Sequence, residues 1–467
     1  MSILPRVALV ALSVGSIALS ACATIGPDFV PPAAPDVDGY TATALPANTA
    51  WANAAGAEAQ TFQIGANVPG RWWTLFNSPE LDQAVERALA ANPNLASAQL
   101  TLIQAQENYA ANLASLLVPN VNIPNVQASL STTTPFTVTT QGAFSVSYSI
   151  EICCGEGRED ESAQATLLRQ EVALEAAYLT LTANVVNSVI GLALLEERLS
   201  ATEAVLLLQQ ELAEITQQRL TLGDIAPADA AAQEAQIINT QASLVSINRQ
   251  LAQQRNQLAI YLGVFPTQMP SIQIDLDDLT LPTQIPVSLP SQLIAQRPDI
   301  VQASYSLQAA TASVGVTLAG MLPQLSLSGS FTPAGLVASL AGSIVQAAIN
   351  LGANVHRNAA AEAALQSAAE NYESTVISAF VDVANALNAI TFDAQLMALQ
   401  VESERASWNS LDLARQQYEV GASSYSTVLS AEQSYRNAVT NLLSVRADRL
   451  MDTVALYVAL GGGWTEQ

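Results

Sequence analysis

Asn92-Pro93-Asn94-Leu95 and Arg297-Pro298-Asp299-Ile300 open the same unit twice. The helix expected after each stretch ends at a second shared landmark, Leu117-Val118-Pro119-Asn120-Val121 in the first copy and Met321-Leu322-Pro323-Gln324-Leu325 in the second. Further on, Leu222-Gly223 is matched by Val420-Gly421 and Leu262-Gly263 by Leu460-Gly461, both at an offset of 198 residues. One offset held over two landmarks 40 residues apart marks a tandem duplication, and a unit that cannot bury itself alone implies assembly with further copies of the chain.

Proline placement maps the units. No proline occurs at 136–226, at 228–265 or from 334 to the end, and these are the places where long uninterrupted helices are possible. The first repeat, 71–286, is expected to hold a short helix at about 79–91, a helix from Asn92-Pro93 to about 116, a β-hairpin at about 120–152 and a long helix at about 159–222. It then turns at Gly223, returns by a helix from Pro227 to Leu262, and ends in a proline-rich linker. The second, 287–467, repeats this with a short helix near 290, a helix over 298–320, a hairpin at about 323–352, a long helix at about 356–420, a tip at Gly421 and a return helix to 460. A 64-residue helix is roughly 96 Å long, and the two shorter helices of its copy, placed end to end, nearly match it. The fold class expected is mainly α with a β contribution.

In the hairpins, Phe144, Val146, Tyr148, Ile150 and Ile152 alternate with Ser145, Ser147, Ser149 and Glu151, and Leu325, Leu327, Gly329 and Phe331 alternate with Ser326, Ser328 and Ser330. Such a period of two suits a barrel strand facing lipid on one side and water on the other. A half-buried sheet in a soluble domain has the same pattern. Four strands cannot close a barrel of useful bore, so a barrel reading requires several chains. The hairpins are also where any membrane crossing is expected, because no unbroken apolar run beyond the N-terminus reaches the ~18 residues of a spanning helix.

Arg6, the apolar stretch Val7 to Leu19, and Leu19-Ser20-Ala21-Cys22 predict a signal peptide over 1–21. The cysteine after Leu-Ser-Ala resembles the lipobox of bacterial lipoproteins, which implies a covalent lipid on Cys22 and, with Ala23 following it, an outer-membrane address. The alternative is an ordinary signal peptide with Cys22 incidental. Residues 22–70, with six prolines among small polar residues, read as a lipidated N-terminal tether. The chain has 40 acidic and 16 basic residues, none of them lysine, and a net charge of -24. That balance argues against nucleic acid and anionic headgroups as partners.

Several motifs resemble those of the outer-membrane efflux protein family, the TolC- and OprM-like outer-membrane factors, in its NodT-type lipoprotein branch. They are Gly26-Pro27-Asp28-Phe29, Trp72-Trp73-Thr74-Leu75-Phe76, Ser78-Pro79-Glu80-Leu81, Ala91-Asn92-Pro93-Asn94-Leu95, Arg297-Pro298-Asp299-Ile300 and the two glycine turns, spread over nearly the whole chain beyond Cys22. The resemblance implies a homotrimer, with four strands per protomer in a shared transmembrane β-barrel and long helical hairpins in a periplasmic α-barrel. It implies the exit duct of a tripartite efflux system, exporting small molecules passively with a periplasmic adaptor protein and an inner-membrane pump of the resistance-nodulation-division class. The duct of a type I protein secretion system and a non-channel, periplasm-spanning structural lipoprotein are the alternatives. Where the family commonly has Phe-Gly-Arg or Trp-Gly-Arg, this chain has Cys153-Cys154-Gly155-Glu156-Gly157-Arg158.

No catalytic constellation is found: no Walker loop, no dinucleotide fingerprint, no paired-cysteine zinc pattern, and one histidine, His356. An enzyme is not expected, nor a cofactor beyond the lipid. Cys153 and Cys154 sit at one strand-to-helix junction and His356 at the other; a structural turn is the expectation, and a soft-metal site completed by neighbouring chains the alternative. The turns at Leu222-Gly223-Asp224 and Val420-Gly421-Ala422 cap helices, and the family resemblance makes them candidates for contact with the adaptor. Asp412 and Arg415, one helical turn apart near the second tip, are candidates for a periplasmic gate, with an ordinary solvated pair as the alternative.

Overall fold

The computed structural model describes residues 25–117, 120–122, 127–131, 137–141, 144–150, 155–322, 325–332, 335–342 and 351–462. The signal peptide, Cys22, Cys153 and Cys154 lie outside the described residues. Two compact units divide the chain: one draws on Met1–Ala33, Gln99–Ala173 and Asp299–Val376, the other on Ala34–Ala98, Leu174–Pro298 and Ile377–Gln467.

The first copy runs β1 (Thr61–Ile64), α1 (Pro79–Ala91), α2 (Pro93–Leu117), β2 (Asn120–Asn122), β3 (Gln127–Ser131), β4 (Thr137–Gln141), β5 (Phe144–Ile150), α3 (Gly155–Leu222) and α4 (Pro227–Tyr261). The second runs β6 (Gln284–Val287), α5 (Pro290–Gln296), α6 (Pro298–Ala319), β7 (Leu325–Thr332), β8 (Gly335–Gly342), α7 (Leu351–Glu419) and α8 (Tyr425–Ala459). The long helices α3 and α7, of 68 and 69 residues, begin four or five residues earlier than the hairpin patterns suggested. Proline opens α1, α2, α4, α5 and α6, where its missing N–H costs no hydrogen bond.

In the first unit, β2, β5, β7 and β8 form one antiparallel sheet in that order, and β3 pairs with β4 as a separate hairpin. The central pairing joins the two copies, β5 to β7, in register from Phe144 opposite Phe331 to Ile150 opposite Leu325. Ala165, Val172, Leu307, Ala312, Val314 and Tyr372 from α3, α6 and α7 are buried in this unit.

The second unit has the larger core. Val185, Val186, Val189, Ile190 and Ala193 are buried along one face of α3, with Ala379, Val383, Leu387 and Ile390 of α7, Val454 and Tyr457 of α8, and Leu460 just after it. A 3-10 turn over Trp72–Phe76 buries Trp72, Trp73 and Phe76; Trp72 lies 5.8 Å from Tyr457 and Trp73 6.4 Å from Tyr178, ring centre to ring centre. The backbone at both junctions is tight. Asn92 donates from Nδ2 to the Tyr261 carbonyl at 2.8 Å, and Arg297, in the equivalent place, donates from Nη1 to the Ala459 carbonyl at 3.1 Å. Each return helix is therefore capped by the residue that precedes the first proline of an earlier helix in its own copy, α2 or α6.

The tether reading of 22–70 needs correction over its second half. Thr61–Ile64 forms β1, parallel to β6, with Thr61 opposite Gln284 and Val287 opposite Ile64. Buried Arg449 donates to the carbonyls of Gly56 and Glu58 and to Gln60 Oε1, while Gln60 Nε2 donates to the Pro282 carbonyl at 3.0 Å. Residues read as a leash thus supply hydrogen bonds to both terminal nitrogens of a buried guanidinium.

On mean hydropathy, in place of unbroken apolar runs, α3 and α7 each contain an 18-residue window apolar enough to cross a membrane, at 1.6 and 1.4. Most of the α3 window is buried inside the protein, the pattern of a core helix.

Candidate functional site

The tips of the two helical hairpins are built alike. Gly223 has φ of +78° and Gly421 of +77°, the left-handed conformation that ends a helix at low cost only for glycine. The amide of Asp224 donates to the Arg219 carbonyl at 2.9 Å and that of Gly223 to Leu220 at 3.1 Å; Ala422 donates to Gln417 at 2.8 Å and Gly421 to Tyr418 at 3.0 Å. These are two Schellman caps in equivalent positions. Leu222 and Val420, the residues before each glycine, are 75% and 79% exposed. Each turn thus holds one large apolar side chain out into solvent.

Beneath the turns the copies hold each other. Arg219 of α3 donates from Nη1 to the Tyr418 carbonyl of α7 at 2.7 Å, and its guanidinium lies 4.7 Å from the centre of the Tyr418 ring. The Tyr418 hydroxyl lies 3.3 Å from Thr216 Oγ1, and its ring packs 5.9 Å from that of Tyr425 at the start of α8. Leu212, Leu411, Ala414, Val428 and Ala431 complete a buried cluster. Away from the tips the packing turns polar: Gln209 bonds to Glu432, and Gln233 Nε2 donates to the Gln209 carbonyl at 2.8 Å. Burial pushes the Glu432 carboxyl above the usual range, opposed by the Gln209 bond and by Arg436 and Arg415.

Asp412 and Arg415 do not pair. Asp412 is exposed and accepts from Gln416 Nε2 at 2.8 Å, whereas Arg415 turns to Glu211 of α3, with 3.9 Å between Nη2 and Oε2. A residue four positions on competes with one three positions on for the same carboxylate. His356 is exposed on α7, and no group of three or more His, Cys, Asp or Glu is placed to hold a metal among the described residues. Sequence reasoning missed Arg219, Tyr418, Gln209 and Glu432; a basic residue in the last turn of α3 was the available signal for the first.

The family model of the outer membrane efflux protein matches residues 84–264 and 289–462, one stretch in each copy. The pyoverdine export outer membrane protein OpmQ of Pseudomonas putida is 30% identical over 419 residues, covering 84% of this chain and 88% of that protein. The toluene efflux pump outer membrane protein TtgC, also from Pseudomonas putida, is 28% identical over 484 residues and covers 98% and 96%. Among solved structures, the outer-membrane channel OprN superposes with a TM-score of 0.78 at 25% identity, over 95% of this chain and all of that one. The duplication, the paired tips and the pairing of one copy's hairpin with the other's thus have one source: the chain belongs to the outer membrane efflux protein family, whose members are transport channels of the outer membrane and not enzymes.

Proposed function

We propose that three copies of this chain form the exit duct of a tripartite efflux system, through which small molecules pass without chemical change. One observation carries the reading. The sheet β2-β5-β7-β8 ends in β2 on one side and β8 on the other, and neither outer edge is paired among the described residues. Open edges are untenable in lipid, and four strands are too few to enclose a passage. Setting β8 of one protomer against β2 of the next pairs both outer edges of this sheet in a closed ring.

The second unit supports the same assembly. Ile377, Val381, Phe392, Leu396, Leu399 and Leu413 are exposed on α7 at spacings that put them on one face, and Ile238, Val245 and Ile260 are exposed along α4. Helix α3 bonds to α4 through Gln254 and Ser188 and to α8 through Arg198 and Ser444, and it is the exposed apolar faces of α4 and α7 that remain to meet neighbours. In this reading Cys22 carries the lipid at the outer membrane, and the turns Leu222-Gly223-Asp224 and Val420-Gly421-Ala422 meet a periplasmic adaptor. An inner-membrane pump of the resistance-nodulation-division class supplies the energy. The names of the relatives, pyoverdine export and toluene efflux, support small molecules as the cargo class. Three exposed Asp412 carboxylates brought together by threefold symmetry would favour cations at the closed mouth, with Arg415 held aside by Glu211.

Native mass spectrometry of the mature protein and single-channel recording with Asp412→Ala test this together. A trimer with small, cation-selective conductance that rises in the variant is expected. Conductance indifferent to the substitution would remove Asp412 from the gate, and folded trimers without conductance would overturn the duct.

A further inference from the structure

We propose that the segment following the lipid cysteine is seated in a socket on the first unit, with Arg158 as its positioning residue, so that the acylated N-terminus is fixed beside the first turn of α3. The proposal rests on the lipidated, outer-membrane reading above. Arg158 is 2% exposed, and each of its three guanidinium nitrogens has a partner. Nε donates to the Ile25 carbonyl at 3.0 Å, Nη2 to the Gly26 carbonyl at 3.5 Å and to Asp28 Oδ1 at 2.5 Å, and Nη1 to Glu161 Oε2 at 2.7 Å. Three of these four contacts come from residues 25–28. Withdrawing that segment would leave a buried cation with Glu161 as its one remaining partner among them, which is strongly unfavourable. The Asp28 side chain is 80% exposed, so its ion pair is screened and the two carbonyl bonds carry the docking.

The backbone is shaped for the same seat. Gly26 has φ of +89°, and a Cβ there would lie 2.7 Å from the Cα of Gly315 on α6. A Cβ on Gly315 would lie 2.8 Å from both the Ile25 carbonyl oxygen and Arg158 Cγ. Glycine faces glycine, and any side chain at either position would push the segment off Arg158. Cys22 precedes Ile25 by three residues, so their Cα atoms are no more than about 11 Å apart. Helix α3 begins at Gly155, five residues after β5 ends at Ile150. One arginine in the first turn of α3, soon after β5 in the chain, therefore holds residues 25–28 and limits how far the base of the lipid can stray from that turn. The acyl chains then act as a depth marker for the strands and not as a loose leash.

The test uses the mature protein in phosphatidylethanolamine–phosphatidylglycerol vesicles, with Cys153→Ser and Cys154→Ser to remove competing thiols and a nitroxide on Thr24→Cys. Incorporation of labelled palmitate in cells is measured in parallel. An immobilised nitroxide spectrum is expected, with a several-fold shorter correlation time on adding Arg158→Ala, and palmitate incorporation unchanged. Gly315→Ala disturbs the seat without removing a charge and should mobilise the label in the same sense, which keeps the test open if Arg158→Ala does not fold. A label already mobile in the parent protein, or immobile in a folded Arg158→Ala or Gly315→Ala variant, overturns the proposal. Absence of palmitate with a label still immobilised would overturn the lipid reading, and the depth marker with it, while leaving the seat itself demonstrated.

Discussion

The four helix-ending glycines offer a test in which chemistry and backbone angle are held constant while the surroundings change. Gly223, Gly421, Gly263 and Gly461 have φ of +78°, +77°, +66° and +90°. Alanine in the left-handed region costs about 1–2 kcal/mol at any of them, offset in part by about 0.4–1 kcal/mol from a less flexible unfolded chain. At Gly223 a Cβ meets nothing within 4 Å, and at Gly421 its nearest neighbour is Arg219 Nη2 at 3.6 Å. At Gly263 it would lie 2.3 Å from the Ala91 carbonyl oxygen, and at Gly461 2.4 Å from that of Gln296. Relieving a backbone collision of that size adds about 1–3 kcal/mol of packing strain. Gly223→Ala and Gly421→Ala should thus cost about 1 kcal/mol, and Gly263→Ala and Gly461→Ala about 2–4 kcal/mol. Thermal and guanidinium unfolding of the four detergent-purified variants, followed by circular dichroism at 222 nm, would rank them. Equal midpoint shifts for the tip and junction glycines would refute the argument that close approach, and not dihedral angle alone, demands glycine at the junctions.

Arg219→Ala removes a hydrogen bond and a cation–π contact and should loosen the tips by about 1–3 kcal/mol; faster chymotryptic cleavage at Tyr418 and Tyr425 is the expected sign, and an unchanged digest would count against the contact. Arg297→Met takes away bonds to the Ala379 and Ala459 carbonyls and the Asp382 ion pair; hydrogen exchange should accelerate over residues 456–460, and unaltered protection there would show that the α8 cap lies elsewhere. The Asp452 carboxyl of α8 is pushed up to about 8, first by burial and then by its hydrogen bond to Asp393, with Asp448 adding to the rise and Arg449 opposing it. The folded state therefore holds a proton that the unfolded chain releases near the ordinary carboxylate value, so this group's contribution is complete at low pH and is lost as pH rises to about 8. Asp452→Asn should remove that decline, read as melting temperature between pH 4 and 9; the same slope in both proteins would refute it.

Much of the helical framework was legible because its punctuation is local. Proline at 93, 227, 290 and 298 and glycine at 223, 263, 421 and 461 act through their own backbone angles, which no distant contact has to supply. The parallel pair β1 and β6 was not legible. Each strand is four residues long, carries no usable period, and finds its partner more than 200 residues away. The same holds for the second half of the tether: proline spacing describes how the chain leaves regular structure, and says nothing about an arginine at 449 that will collect its carbonyls. At the candidate gate, helical spacing identified neighbours correctly and partners wrongly. Asp412 can reach both Arg415 and Gln416 along its own helix, and it was Glu211, on another helix altogether, that decided where Arg415 went.

The two copies keep the same backbone and use different side chains, and the difference is placed where they touch. Position 219 is arginine in the first copy, and its equivalent 198 residues on is Gln417; Tyr418 and Tyr425 of the second copy correspond to Leu220 and Pro227 of the first. The Schellman bonds are identical because they need only glycine and amides. The cross-copy contacts, a guanidinium over a phenol ring and a donor for a helix-end carbonyl, need two unlike partners. Two copies of either present tip would lack one partner: two first-copy tips would put Leu220 where Tyr418 stands, and two second-copy tips Gln417 where Arg219 stands. Divergence under a constant backbone thus turns a repeat into a matched pair, so that within one protomer the second tip is bound to the first. If the tips move when the duct opens, Arg219 and Tyr418 must either travel together or part, and cross-linking that pair through paired cysteines separates the two cases: conductance that survives the cross-link means the tips of one protomer move as a body, and conductance lost until reduction means opening runs between them.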